Sequence, residues 1–453
     1  MLQMRGSSAA VTLLLILFLS ILFISYITLK KGEEIPSVPQ GGDLAVIGGT
    51  TAALISALEG AGAGAQVYLF SNGRELLEDT SFLVAEGLAA ISTPSQLERG
   101  IDLTAEDFQK EIQEKGKGVA EPLLLEAFVS EAHLFYELAR YYGGIEFDSL
   151  PDPAEKPYFH LSTFPGAGQK FQTLLLEKAE KAGVIFRSER IREIHCSPER
   201  VQRLILENEK GETFPFYIQG AILADGGYCG DIFSRHKYLP QGNLISLRPE
   251  EKGEGLRLAL ELEADFLQTD FLNKKILLYN PFKEHFREFS LVKSNKTFYI
   301  NGEGHVLPGT VSLEEIADFI LRSPEGKAFV LVSEKIALGL EEREYFQLIN
   351  TPDRLASFCG LTEPPASAGH FSFHSSYYIS YVKVGVDYTP GGLSVTPLGE
   401  VKNGEGKIIR GLYAAGEITG GLHGEGMLPG MALSETIFLA GRAGRSAAEY
   451  ARR

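Results

Sequence analysis

The stretch Asp43-Leu44-Ala45-Val46-Ile47-Gly48-Gly49-Thr50-Thr51-Ala52-Ala53 decides the fold. Leu44 to Ile47 is a short continuous apolar run, the pattern of a strand buried on both faces of a parallel sheet. Two glycines stop it, and Thr50 to Ala65 follows as an alanine-rich helical stretch. Gln66 to Phe70 is a second strand, so the unit is strand–turn–helix–strand, the plan of a βαβ crossover. Its turn stands where a dinucleotide fingerprint, G-x-G-x-x-G/A, belongs. In that fingerprint the first glycine makes the tight turn, the second lets backbone approach a pyrophosphate, and the third packs helix on strand. Gly48 supplies the first, Thr50 replaces the second, and Ala53 is an accepted third. The helix N-terminus still offers N–H groups to phosphate. Ser71 stands where an acidic residue ordinarily binds ribose hydroxyls, which a serine can also hydrogen-bond. Taken alone, the turn reads equally well as an ordinary buried strand–helix connection.

Downstream the alternation continues. Glu106 to Tyr142 has a helical period, Phe171 to Ala182 is a further helix, and Val184–Phe186 a strand. Ile191–His195, Val201–Glu207 and Phe214–Ile218 read as a small antiparallel meander. Ala221 to Ala224 is a third apolar strand, closed by Gly226-Gly227, and Gly253 to Leu262 is helical. From Phe266 to Lys383 the character changes. Aromatic strands such as Thr297–Ile300 mix with helices at Leu313–Arg322 and Glu334–Glu344, which reads as an inserted α+β domain. Strand and glycine-turn signals return at Val384, and Ala432 to Arg452 is a last helix.

Upstream, Ala9 to Leu29 is an uncharged run. About 20 such residues span the hydrocarbon core of a bilayer. The run is longer than a signal-peptide core, and Tyr26-Ile27-Thr28-Leu29 is a poor cleavage site, so it reads as a single uncleaved anchor, a removed signal peptide being the alternative. Arg5 and the amino terminus balance Lys30 and Lys31, so the flanking charges assign no membrane face. The expected organisation is an anchor and linker over residues 1–42, a nucleotide-binding domain over 43–265 and 384–453, and the insertion over 266–383.

The chain has 453 residues and a net charge of −16. The acidic balance argues against a nucleic-acid partner, which needs a basic face. Cys196, Cys229 and Cys359 make no metal-binding or haem-attachment spacing, so no metal site is expected.

Near the C-terminus stands Gly411-Leu412-Tyr413-Ala414-Ala415-Gly416-Glu417-Ile418-Thr419-Gly420-Gly421-Leu422-His423-Gly424. It resembles the signature of the flavoproteins grouped with soluble fumarate reductase, succinate dehydrogenase, L-aspartate oxidase and 3-ketosteroid dehydrogenase. Shorter matches run in the same order. Ala221 to Tyr228 resembles the family's apolar strand ending in a glycine pair. Lys252-Gly253-Glu254-Gly255 resembles its T-G-D-G turn, and Thr389 to Leu393 its T-x-G-G-L segment. The resemblance covers about Asp43 to Tyr450.

It implies an α/β fold, a Rossmann-like FAD-binding domain with an inserted capping domain, and FAD as cofactor. Gly48, Thr50, Thr51 and Ala52 would cradle the pyrophosphate, with Ser71 at the ribose. Thr80, Ser81 and Gly87 would lie along the flavin. Gly227, Glu254 and Glu417, the last beside Gly416 in the signature, would anchor the ribose–ribityl side. Ala432 and Leu433 would open the last helix toward the flavin N1–C2=O edge, where its positive end suits a reduced flavin. The resemblance also leans toward an extracytoplasmic body.

The catalytic set departs from the family. His423 matches one histidine of its dicarboxylate site, but the arginine expected four residues later is Met427. Lys275 replaces a second histidine, and Leu313 falls at the proton-donor arginine. Met427, Leu313 and Pro429 make the pocket more apolar and less able to hold two carboxylates. His423 is then either a substrate ligand or a hydrogen-bonded histidine in a glycine-rich turn. Lys275 reads as a solvated lysine, and Tyr377, Tyr378 and Tyr388 mainly as packing aromatics, with acid catalysis the alternative. Two functions follow. The first is a membrane-anchored FAD-dependent oxidoreductase, with His423 catalytic, acting on an activated alkene, ketone or amine rather than fumarate and recycled by a separate electron-transfer partner. The second is a scaffold that has lost catalysis.

Overall fold

The computed structural model describes residues 41–72, 76, 79–197, 200–231, 243–280, 285–289, 294–365 and 376–453. The expected anchor, Ala9 to Leu29, lies outside them. Among the described residues no helix is long and apolar enough to cross a membrane.

Six strands build the central sheet, in the order Glu400–Lys402, Ile408–Ala414, Gly220–Leu223, Leu44–Ile47, Val67–Phe70 and Ile185–Arg187. Every neighbouring pair is parallel except the first. Leu44 to Ile47 lies centrally, with Val46 opposite Leu69 on one side and Ile222 on the other. All four of its residues are fully buried, which is why the run carries no polar alternation. The helices Thr51–Gly62 and Met431–Ala451 pack closely together. A Cβ at Gly444 would stand 2.4 Å from the Ser56 carbonyl oxygen, and Ser56 Oγ donates to the Ala440 carbonyl at 3.2 Å. Small residues on both helices permit this approach. Arg190–Cys196, Val201–Glu207 and Thr213–Tyr217 form the antiparallel meander.

A second, eight-stranded sheet is antiparallel in most of its pairings. Its longest strand, Tyr377–Tyr388, pairs with Asn273–Asn280 on one side and Lys327–Ser333 on the other. The helix Leu313–Arg322 lays Ile316, Ala317 and Ile320 on this sheet, and a capping box between Ser312 and Glu315 fixes its start. The boundary expected between Lys383 and Val384 falls inside the Tyr377–Tyr388 strand. Ile245–Ser246, from the first part of the nucleotide-binding segment, pairs beside Gly385 and Val386.

Two helical expectations change. The period seen over Glu106–Tyr142 is three helices, Ala105–Lys115, Pro122–Glu131 and Phe135–Gly143. Gly116 ends the first and Pro122 opens the second, as their backbone chemistry requires. The helix expected over Glu334–Glu344 stops at Ala337, short of Gly339, and a separate 3-10 turn follows at Arg343–Tyr345.

Candidate active site

The turns after three parallel strands meet at one end of the central sheet, the place where open α/β sheets bind ligands. Gly48 has φ +137°, and a Cβ there would lie 2.1 Å from the Ala224 carbonyl oxygen. Thr50 joins the two turns. Its hydroxyl accepts from Ala53 N–H at 3.2 Å, capping the helix, and donates to the Ala224 carbonyl at 2.6 Å. A threonine thus does at this position what glycine does not, which accounts for the departure from the fingerprint. Gly416, at φ +77°, brings the C-terminal signature against the same helix: a Cβ there would be 2.6 Å from that of Ala52. Gly48, Thr50, Thr51, Ala52, Gly227, Gly416 and Glu417 are therefore gathered in one place.

The helix N-terminus already holds an anion. Thr51 N–H donates to the Asp79 carboxylate at 3.0 and 3.3 Å, and Thr51 Oγ1 lies 3.1 Å from it. Thr80 Oγ1 is 2.9 Å from Thr51 Oγ1. The Ser81 side chain lies outside what the structure describes. Beyond them the chain turns at Gly87, φ +87°, and passes the start of the last helix. Ser434 accepts from Ala89 N–H at 3.0 Å and donates to the Ala89 carbonyl at 2.7 Å. Ala432 and Leu433, both buried, thus begin their helix beside the segment that follows Gly87.

Glu417 is fully engaged. Thr389 N–H and Oγ1 donate to one of its oxygens at 2.8 and 2.9 Å, and Arg248 reaches the other at 2.7 Å. Arg248 also bonds Glu251, and its guanidinium lies 5.0 Å from the centre of the Phe82 ring. Burial pushes the Glu417 carboxyl up to about 8, against the pull of Arg248. The Gly226-Gly227 pair gives these carboxylates room. A Cβ at Gly226 would meet Glu251 Oε2 at 2.1 Å, and one at Gly227 would meet Glu417 Oε1 at 2.2 Å. Glu254 lies apart from Glu417. It accepts from Asn72 Nδ2 at 2.8 Å, next to Ser71 and the end of the second strand.

These residues fit FAD. An anion site at a helix N-terminus, close-packed glycine turns and a buried acceptor at Glu417 are what a pyrophosphate and a ribityl chain require. Thr51 with its helix would hold the pyrophosphate, Glu417 the ribityl hydroxyls, and Ser71 with Glu254 the adenosine ribose. Sequence reasoning missed Asp79 and Arg248, which no motif or period marks.

On the substrate side, His423 is buried and bonded through Nε2 to Glu435 Oε2 at 2.7 Å. Tyr388 Oη donates to the same oxygen at 2.5 Å. Burial, with Glu435 beside it, holds the Tyr388 phenol well above its ordinary value, so it stays protonated. Tyr388 and Thr419 hydroxyls also turn toward this carboxyl, a network in which the imidazole Nε2 is assigned as donor. His423 Nδ1 is buried with no hydrogen-bond partner among the described residues. Glu435 was also missed, although a lone carboxylate in the apolar run MALSETIFLA was a visible signal.

Lys275 is a correction to the solvated reading. Its ammonium is 3.3 Å from Asp387, 3.3 Å from Glu288 and 3.7 Å from Glu86, with 18% of the side chain exposed. Burial opposes its charge, yet these carboxylates hold its pKa above the ordinary value. Met427 and Leu313 do come together, in a cleft of about 120 Å³ shared with Asn273, Lys274, Lys115, Asp270, Glu314 and Glu425. Its described lining contains no arginine. Arg287 and Arg322 sit on the surface beside Glu341 and Asp318. Tyr377 and Tyr378 pack in the second sheet, and only Tyr388 of the three reaches His423.

A family model described as FAD binding domain matches residues 43–276 and 329–433, more than half of the chain. The chain is similar to the NADH:fumarate oxidoreductase of Klebsiella pneumoniae (strain 342), 22% identical over 92% of this chain, but spans only 48% of that protein. It is 23% identical to the fumarate reductase (cytochrome) of Shewanella frigidimarina, over 91% of this chain and 78% of the relative. The urocanate reductase of Eggerthella lenta is also 23% identical, over 93% and 78%. Among solved structures, the open conformation of a flavocytochrome c3 fumarate reductase superposes with a TM-score of 0.80, at 20% identity, covering 94% of this chain and 81% of the other. A 3-ketosteroid-delta4-(5alpha)-dehydrogenase from Rhodococcus jostii RHA1 gives 0.71 at 19% identity, over 92% and 98%. The chain belongs to the FAD binding domain family, with FAD as its cofactor and the fold shared by the fumarate reductase and 3-ketosteroid dehydrogenase flavoproteins.

Proposed function

We propose that the protein is an FAD-dependent reductase of an activated alkene bearing at most one carboxylate, with His423 as the proton donor. The observation that carries this reading is the buried pairing of His423 with Glu435, which leaves His423 Nδ1 without a hydrogen-bond partner among the described residues. When bound, FAD would supply the hydride. The protein must then deliver a proton to the neighbouring carbon. Glu435 fixes the tautomer of His423 and stabilises its protonated form, as a carboxylate does for a catalytic histidine. Tyr388, protonated and donating to the same oxygen, holds Glu435 in place.

The cleft argues against a dicarboxylate. Met427 and Leu313 stand where the resembling enzymes use arginine, and Asp270, Glu314 and Glu425 outnumber Lys115 and Lys274. A dianion would meet net negative charge and no planar fork. The Ala9–Leu29 run supports a single membrane anchor with the oxidoreductase body outside the bilayer, and the family analogy leans toward the extracytoplasmic side. In this reading the Phe266–Lys383 insertion covers the substrate, and a separate electron-transfer partner recycles the flavin.

The test is reoxidation of the reduced holoprotein under anaerobic conditions by a panel of alkenes: neutral enones, monocarboxylate enoates, and fumarate. Recovery of the oxidised flavin spectrum with a neutral or monoanionic alkene, at turnover of about 1–10³ per second, is the expected result. Fumarate alone supporting such turnover would overturn the reading.

A further inference from the structure

Asp79, Arg248 and Glu417 form a linked arrangement that the substrate chemistry does not use. Asp79 is buried and occupies Thr51 N–H, the donor that a cofactor pyrophosphate would take. Arg248 is buried, faces Asp79, Glu251 and Glu417 together, and reaches Glu417 at 2.7 Å. Glu417 is the acceptor that the ribityl hydroxyls would take. The two polar ends of the FAD path are thus held by the protein's own side chains.

The charge balance makes this consequential. A diphosphate brought to Thr51 adds negative charge beside the Asp79 carboxylate, with Glu251 next to it on Arg248. Like charges at such separations in a buried site repel strongly. Arg248 is the cation among them, paired with Glu251 and Glu417, within the field of Asp79, and set over the Phe82 ring. Its planar fork suits phosphate oxygens as well as carboxylates.

We infer that Asp79 is an internal occupant of the pyrophosphate position, displaced when FAD binds, and that Arg248 neutralises the incoming diphosphate while releasing Glu417 to the ribityl chain. Asp79 keeps the helix N-terminus satisfied in the cofactor-free protein and so weakens FAD binding, because its bond to Thr51 N–H must be broken first. Arg248 acts in the opposite direction. The inference rests on the FAD-binding reading and is independent of the substrate.

The experiment measures FAD release from the full-length holoprotein on dilution, by the rise in free-flavin fluorescence, for wild type, Asp79→Asn, Arg248→Gln and Arg248→Lys. Asp79→Asn removes the competing charge and should bind FAD about 10–100-fold more tightly, the worth of one charge-assisted hydrogen bond. Arg248→Gln should bind it weaker by a similar factor, with Arg248→Lys recovering part of the loss. Asp79→Ser, smaller and able to cap Thr51 N–H, is measured as well in case Asp79→Asn does not fold. Asp79 variants that fold and bind FAD no more tightly than wild type would overturn the inference while leaving the FAD reading intact. A wild-type protein that takes up no FAD would overturn both.

Discussion

Glu435 Oε2 accepts a hydrogen bond from His423 Nε2 at 2.7 Å, joining the end of the glycine-rich signature to the last helix at a point where both side chains are 1% exposed. Glu435 lies one turn beyond Ala432, so the helix that begins beside the Gly87 segment also carries the group that orients the histidine. The proposed flavin-facing helix start and the proposed proton donor are thus tied to one rigid element, the condition for keeping a catalytic geometry within tight tolerance.

Replacing Glu435 with Gln keeps the shape and removes the charge. The imidazolium then loses its counter-ion, and kcat for alkene reduction should fall about 10²–10⁴-fold. Flavin content should not change. His423→Gln should cost as much, and the double variant little more, since the two act as one unit. A Glu435→Gln enzyme with wild-type kcat and pH profile would assign the pair to structure alone.

Lys275 is the cation among Glu86, Glu288 and Asp387, and burial already raises the carboxyl pKa of Glu86 and Asp387. Lys275→Met leaves those carboxylates facing one another. Removing one partner of a buried ion pair costs roughly 3–5 kcal/mol, and partial exposure here puts the expectation at the lower end. Denaturant unfolding of the cofactor-free protein reads it directly. Adding Asp387→Asn to Lys275→Met should restore part of the loss, and an absence of both effects would show the cluster to be fully solvated.

The sheet strands and most helices were legible because their causes are local. Leu44–Ile47 is apolar on both faces, and the helix read over Leu313–Arg322 has those bounds. The signature follows the strand Ile408–Ala414, with Gly416 and Glu417 in the short turn after it and His423 in the loop beyond. What could not be read were pairings between distant residues. Arg248 meets Glu417 across 169 positions and Asp79 meets Thr51 across 28, and neither spacing has a period. Lys275 was misread for the same reason, since its solvated appearance in sequence ignores Glu288 and Asp387 on the neighbouring strands and Glu86 at the end of the Thr80–Ala85 helix.

Stability should fall as pH rises through neutrality, and Glu417 should carry much of the slope. Its carboxyl goes from an ordinary 4.5 to about 8 in the folded protein, because burial penalises the charged form. Between these values the folded chain binds a proton that the unfolded chain has released. The stabilisation is therefore fully present below about 4.5 and lost as pH rises through about 8. Melting temperature against pH for the cofactor-free protein should slope downward over that window, and Glu417→Gln should flatten it. An unchanged slope in the variant would move the effect to Glu86 and Asp387.

Selectivity should follow the cleft. By the family resemblance, two charge-assisted hydrogen bonds to a carboxylate, each worth about 1.5–3 kcal/mol, would be missing where Met427 stands for a binding arginine and Lys275, held by Asp387, Glu288 and Glu86, stands for a histidine. Fumarate should therefore have a kcat/KM about 10²–10⁴-fold below that of a monoanionic or neutral alkene of similar size. Met427→Arg restores one fork in a cleft that already holds Lys115 and Lys274. It should raise kcat/KM for fumarate by about 10–100-fold and leave a neutral alkene unchanged or slower. Competition between the two substrates in one reaction mixture measures the ratio without reference to flavin content. A wild-type ratio near one would show that another cation reaches the second carboxylate, and the apolar reading of the cleft would fall with it.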